Sequence, residues 1–154
     1  MKFYLLTVGR SQPEYQLLVE DYKKRINRFV PFIEVSVQYK AKKNDSASVI
    51  MKQEGNKIRE KIPKNDEIFL LDENGKEFTS KAFASVLNKE MQTPNDCWFV
   101  IGGAFGFSDE MYSVAHQKIS LSKMTFTHQM IRLFFAEQFY RALTIINNHP
   151  YHNS

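Results

Sequence analysis

The sequence predicts a mostly parallel α/β sheet with helices on both faces, and three observations carry that prediction. Short apolar runs alternate with longer segments whose apolar residues recur at three- and four-residue steps, the patterns of strands and helices in turn. Turn residues close several of the short runs, at Gly9, at Asn74-Gly75 and at Gly102-Gly103. No repeat and no long linker breaks the alternation, as expected of one continuous α/β sheet. At 154 residues the chain is sized for a single domain, residues 1–154, with a core of its own. Its 43% hydrophobic content, with 13 Phe and 7 Tyr, excludes a disordered chain.

Residues 2–8 (KFYLLTV) form an apolar run that stops at Gly9 and reads as a buried strand. Ser11-Gln12-Pro13-Glu14 has the form of a capping box, in which the serine hydroxyl takes an amide of the first turn and Glu14 reaches back. It opens a helix expected to reach Asn27 through Leu17, Leu18, Tyr22 and Ile26. Residues 32–38 alternate apolar and polar and read as a second strand; Asp45 and Ser46 then cap a basic helix that ends near Lys61. Residues 67–71 (EIFLL) are a third strand leading into Asp72-Glu73-Asn74-Gly75-Lys76. Asn-Gly most often marks a hairpin. Here a helix from Thr79 or Ser80 to about Met91 follows, so a strand-to-helix loop is expected. Residues 96–101 (DCWFVI) are a fourth strand, broken by Gly102-Gly103-Ala104-Phe105-Gly106. Ser108, with Asp109 and Glu110 behind it, opens a short helix favoured by the helix dipole.

The chain then reaches the stretch around which the rest is organised. Ile119 and Leu121 belong to a half-apolar segment that passes through Ser122, Lys123, Met124 and Thr125 to Phe126. Thr127 is suited to cap a helix that continues to about Asn147. Phe134, Phe135, Phe139 and Tyr140 cannot all share one of its faces. Such a helix is buried on more than one side, in the core or against a second copy of the chain. Ligands on parallel sheets sit beyond the carboxyl ends of the strands. If the strands before them are neighbours, loops 71–76, 102–106 and 121–126 converge on one pocket.

Composition and motifs narrow the function. The net charge of +4 is unevenly spread: residues 40–64 carry eight Lys/Arg against three Asp/Glu, and residues 65–154 seven against ten. A polyanionic partner such as nucleic acid accounts for that asymmetry, and so does a solvated helix face. The single Cys97 excludes an intrachain disulfide and fits a reducing compartment. No apolar run approaches the roughly 18 residues of a membrane span, and the cytoplasm is the expected location. Gly102, Gly103 and Gly106 serve either as a turn or as a close approach of backbone to ligand. Their spacing is not the dinucleotide fingerprint and does not follow the first strand, which argues against a dehydrogenase-like nucleotide binder. His149 and His152 flank Pro150 with no thiol or carboxylate cluster beside them, so no metal site is expected. His128 is either a structural residue of the first helical turn or a group facing the pocket, while Glu137 and Arg141 are spaced as an exposed ion pair. The tail sets Tyr151 between imidazoles: either a frayed end, or groups for stacking on a base and handling protons.

In combination and order, these residues resemble a known family. The set is Leu71-Asp72 with Gly75-Lys76, Ile101-Gly102-Gly103 with Gly106, the run from Leu121 to Phe126 with His128-Gln129-Met130 and Arg132, Glu137-Gln138 with Tyr140-Arg141-Ala142, and the ending Asn148-His149-Pro150-Tyr151-His152. It is similar, over the whole chain, to the RlmH (YbeA-like) family of SPOUT-class methyltransferases. The resemblance implies methylation of N3 of a pseudouridine in large-subunit (23S) ribosomal RNA, with S-adenosyl-L-methionine as donor and no metal. It also implies a homodimer and a C-terminal trefoil knot, which the ordinary rules of chain connection do not lead one to expect. By matching positions, Leu71, Gly102, Leu121, Ser122, Lys123, Met124, Thr125 and Phe126 hold the cofactor. The closing His149-Pro150-Tyr151-His152 tail completes the site across the dimer interface. Thr127 departs from the family's usual proline, and Asn153 stands where a Lys or Arg often follows the last histidine.

The implied chemistry assigns roles. N3 of pseudouridine carries a proton, so a base must stand within about 3 Å of it or one water away. His152 is the first candidate and His128 the second; Tyr151 can stack on the base, and Arg132 or Lys123 can meet phosphate. The partner is free rRNA or an assembled ribosome. A non-catalytic ribosome- or RNA-binding protein of the same fold is the alternative, favoured only by the missing cation of the tail.

Overall fold

The computed structural model describes residues 1–153, over which strands and helices alternate to the end of a long last helix. In order they are β1 (Phe3–Val8), α1 (Pro13–Ile26), β2 (Phe32–Val37), α2 (Ala47–Lys61), β3 (Glu67–Glu77), α3 (Ser80–Glu90), β4 (Cys97–Ile101), α4 (Asp109–Val114), β5 (Gln117–Ser120) and α5 (His128–Ile146). The strands pair in the order β2-β1-β4-β3-β5, and every pairing is parallel. Among the described residues no helix is long and apolar enough to cross a membrane.

Central position explains the composition of β4. It pairs with β1 on one side and β3 on the other, and all five of its residues are buried. Because side chains alternate along a strand, Phe99 faces α5 while Trp98 and Val100 face the opposite layer. The first face carries α1, α3 and α5; the second carries α2 and α4. Rings dominate the first core. Phe99 lies 4.9 Å from Phe135, and Phe139 lies 5.0 Å from Phe3 and 4.9 Å from Phe32. Each fully buried ring contributes about 1.5–3 kcal/mol through burial alone. The apolar width of α5 thus has a cause within one chain: Phe135, Phe139 and Leu143 meet the sheet, and Tyr140 meets Tyr22 and Phe29.

Four caps form as the sequence predicts: the hydroxyls of Ser46, Thr79, Ser108 and Thr127 accept amides of Val49, Ala82, Met111 and Met130. Two expectations need correction. The capping box at Ser11 does not form, because α1 starts at Pro13 with Gln12 as its cap and no side-chain cap bond. The Gln12 amide instead donates to Gln129 of α5 at 3.0 Å. Nor do residues 71–76 form a strand-to-helix loop. β3 continues to Glu77, pairing with β5 at Leu71↔Ile119 and again at Lys76↔Ile119, so that residues 72–75 bulge from the strand. Gly75 is the condition for this: a Cβ there would stand 2.6 Å from the backbone of Lys118 and 2.7 Å from that of Ile119.

β5 is an edge strand, yet α5 begins beside the end of β1, where Gln129 also donates to the Arg10 carbonyl at 2.9 Å. Residues 121–127 therefore cross the carboxyl ends of β3 and β4. That crossing builds the site.

Candidate active site

An open cleft of about 340 Å³ lies at the carboxyl ends of β3, β4 and β5, within the roughly 300–1,000 Å³ usual for small-ligand sites. Its walls come from residues 71–74 of the β3 bulge, from residues 102–107, and from residues 121, 122 and 124–126, the three segments expected to converge, together with His128 and Ile131 of α5. Leu71, Ile101, Ile119, Leu121, Phe126 and Ile131 are the apolar part, and Asp72 and Glu73 the acidic part.

Local bonds give each wall its shape. The Ser120 hydroxyl donates to the Ser122 carbonyl at 2.8 Å, and the Met124 amide donates to the Ser122 hydroxyl at 3.0 Å. Thr125 donates its hydroxyl proton to Glu73 and so ties the crossing loop to the β3 bulge. Asp72 accepts from the Asn74 amide at 2.8 Å and from the Tyr112 hydroxyl at 2.5 Å. Burial, aided by that bond, pushes the Tyr112 phenol up to about 12, so it keeps the proton it donates.

The glycine loop closes on itself, with the Gly106 amide donating to the Gly103 carbonyl at 3.1 Å. Its glycines are demanded by what lies behind the loop. A Cβ on Gly102 would stand 3.1 Å from the Phe107 ring, and one on Gly103 only 2.6 Å from both carboxylate oxygens of Glu54. Glu54 reaches there from α2; its Oε1 is buried without a hydrogen-bond partner among the described residues, and burial raises its pKa.

A family model described as "Predicted SPOUT methyltransferase" matches residues 1–152. The chain belongs to the SPOUT methyltransferases. Curated relatives place it within one branch. Proteins named "Ribosomal RNA large subunit methyltransferase H" from Parabacteroides distasonis and Flavobacterium psychrophilum are 47% and 45% identical to it, each over 99% of both chains. A solved probable methylase family protein from Haemophilus influenzae shares the fold, with a TM-score of 0.55 at 9% identity over 99% of this chain and 70% of that one.

In this SPOUT methyltransferase the residues singled out from the sequence separate into groups. Leu71, Gly102, Leu121, Ser122, Met124, Thr125, Phe126 and His128 all line the cleft. Lys123 does not; its side chain is 85% exposed, with the ammonium 3.6 Å from Glu77. His128 is half-buried, and desolvation lowers its pKa, so the ring is neutral near pH 7. Arg132 is 4% exposed: its guanidinium donates to Gln16 and, at 2.5 Å, to Glu34, while its Nη1 has no hydrogen-bond partner among the described residues, in a small recess shared with Arg10 and His128.

The tail also departs from a frayed end. Asn148 takes a positive φ of 54°, the His149 amide donates to the Thr144 carbonyl at 2.8 Å, and the chain turns back along α5. There the Tyr151 hydroxyl donates to Glu137 at 3.0 Å, and His152 Nδ1 lies 3.1 Å from Arg141. Glu137 and Arg141, 2.6 Å apart and only 20–26% exposed, are therefore an anchor for the tail rather than a solvated pair. Arg141 stands about 20 Å along the helix from His128, at 1.5 Å per residue. Within one chain, Tyr151 and His152 are not brought to the cleft.

Sequence reading missed Tyr112, Phe107 and Glu54. Phe107 had a signal, as a ring set between Gly106 and the cap Ser108. Tyr112 and Glu54 had none, since they reach the loops only because α4 and α2 pack side by side.

Proposed function

We propose that this chain is an S-adenosylmethionine-dependent methyltransferase that methylates N3 of a pseudouridine in large-subunit (23S) ribosomal RNA. Membership of the SPOUT methyltransferases, joined to a cleft walled by three loops at the strand ends, carries the reading. The lining fits the donor. Apolar walls suit an adenine, while Asp72 and Glu73 suit hydroxyls and an ammonium group. When bound, S-adenosylmethionine would supply a methyl group on a cationic sulfur: the in-line nucleophile takes the methyl, and the neutral thioether leaves without a metal. The backbone around Gly102 and residues 121–126 grips and orients it, and orientation of reacting groups lowers a barrier by about 7–11 kcal/mol.

The chain acts in the cytoplasm as one domain, residues 1–154, of which Ser154 lies outside the described residues. Its crossing segment 121–127 forms the trefoil knot. It works as a homodimer in which the tail of one copy closes the cleft of the other. Two observations support the dimer. Neither Tyr151 nor His152 lines the cleft of its own chain, and α1 leaves Leu17 and Leu18 exposed at 75% and 52% beside α5. His152 from the second copy takes the N3 proton, with His128 second in line, and Tyr151 stacks on the base.

The test is direct. Purified protein, labelled S-adenosylmethionine and ribosomes from cells lacking the gene are combined, and the rRNA is digested for mass spectrometry. N3-methylpseudouridine is the expected product; an rRNA that is bound and returned unmodified sinks the reading.

A further inference from the structure

We propose that Arg10 and the loop 38–46 form a basic rim that docks a phosphate backbone of the substrate RNA beside the cleft. The inference rests on the reading of the substrate as rRNA.

The structure divides the basic segment in a way the sequence does not show. Lys52, Lys57, Arg59, Lys61 and Lys64 are spread around and beyond α2, whereas Lys40, Lys42 and Lys43 are exposed together on the loop that precedes it. β1 and β2 are parallel neighbours; the Gly9 amide donates to the Val37 carbonyl at 2.9 Å, and the Ser36 hydroxyl to the Gly9 carbonyl at 2.9 Å. The segments that begin with Arg10 and Gln38 therefore leave the sheet side by side at its carboxyl end, the end that carries the cleft, with β1 next to β4 and β2 outermost. Arg10 is also joined to the cleft itself, because its carbonyl accepts from Gln129, the neighbour of His128.

The loop is ordered by Asp45, whose carboxylate also attracts the Lys42 ammonium without closing an ion pair with it. Asp45 accepts from the Tyr39 hydroxyl at 2.8 Å and from the Lys42 amide at 2.7 Å, so backbone and tyrosine hold the shape. Among the described residues no carboxylate forms an ion pair with Arg10, Lys40, Lys42 or Lys43, whereas Lys23, Arg25, Lys123, Arg132 and Arg141 all have one. Like charges left unpaired on one edge repel one another and attract a polyanion. Their continuity with a cleft that takes a nucleobase selects RNA over an acidic protein, and phosphate neutralisation by Lys and Arg is the sequence-independent part of RNA affinity.

The test is the triple variant Lys40→Gln, Lys42→Gln, Lys43→Gln, which leaves the bonds of Asp45 intact. Measured are KM and kcat on ribosomal particles and on protein-free rRNA, cofactor affinity by calorimetry, and the salt dependence of RNA binding. The expected result is a KM raised at least about 10-fold and a log–log salt slope shallower by about 2 to 3, with kcat and cofactor affinity unchanged. A KM and slope equal to the parent's overturn the proposal. So does a loss seen with assembled particles but not with bare rRNA, which would place a ribosomal protein on the rim. A parent protein that neither binds nor methylates rRNA defeats the functional reading itself, and this inference with it.

Discussion

His128 stands on the first turn of α5 behind the Thr127 cap, where it lines the cleft and desolvation lowers its pKa from the ordinary 6.5. The unfolded chain binds more protons than the folded one below about pH 6.5, so stability is full above that value and is lost as pH falls through the depressed one. His128→Gln is expected to flatten the decline of melting temperature between pH 7 and pH 5; an unaltered slope would show that the ring is solvated. Glu54 has the opposite sign. Its raised pKa means that the folded state favours the protonated carboxyl, and stability is lost as pH rises through that value. Glu54→Gln should melt higher than the parent at pH 8 and level with it at pH 4. A gap of equal size at both pH values would mean that Oε1 has a partner and its charge costs nothing.

Elements were legible where their causes are local. Ser46, Thr79, Ser108 and Thr127 each cap a helix through an amide three residues away, within reach of any reading of the chain. Ser11 misled because the helix starts one residue later than its pattern suggests, with Gln12 as the cap and the Gln12 amide bonded to Gln129, 117 positions further on. The β3 bulge was hidden for the same reason: Asn74-Gly75 reads as a turn, and only the approach of β5 shows that Gly75 is a contact between strands. Gly75→Ala is expected to part the two strands and to release Asp72 and Glu73 from their places. Calorimetry should show cofactor affinity falling at least about 10-fold along with stability, since overpacking at a close contact costs roughly 1–3 kcal/mol or more. Parent-like affinity in a folded Gly75→Ala protein would remove the bulge from the site.

Across the whole molecule, the cleft takes the first turn of α5 while the tail is bonded further along it, at Glu137 and Arg141, and that division makes the proposed dimer testable. His152→Ala should lower kcat by about 100-fold or more with cofactor affinity nearly intact, as for loss of a general base. Gly102→Val should lose cofactor affinity, since its side chain drives into Phe107. Neither variant alone should turn over at the parent rate, but in the proposed homodimer a mixed pair would contain one intact cleft facing one intact tail. Co-refolded at equal amounts, the two variants should recover about a quarter of the parent activity. No recovery in a verified mixed dimer would place both groups in the same chain's site.

The sequence by itself determined the alternation of strands and helices, most of the caps and the three loops that meet at the strand ends, because these follow from side-chain periodicity and short-range hydrogen bonds. It also carried the family resemblance, whose motifs recur in fixed order along the chain. Tertiary structure alone decided that Arg132 is spent on Glu34 inside the fold, that Gly102 and Gly103 answer to Phe107 and Glu54, and that the tail is pinned to Glu137 and Arg141. Those outcomes depend on which distant groups come within a few ångströms of one another once the layers pack, and no local pattern encodes that distance.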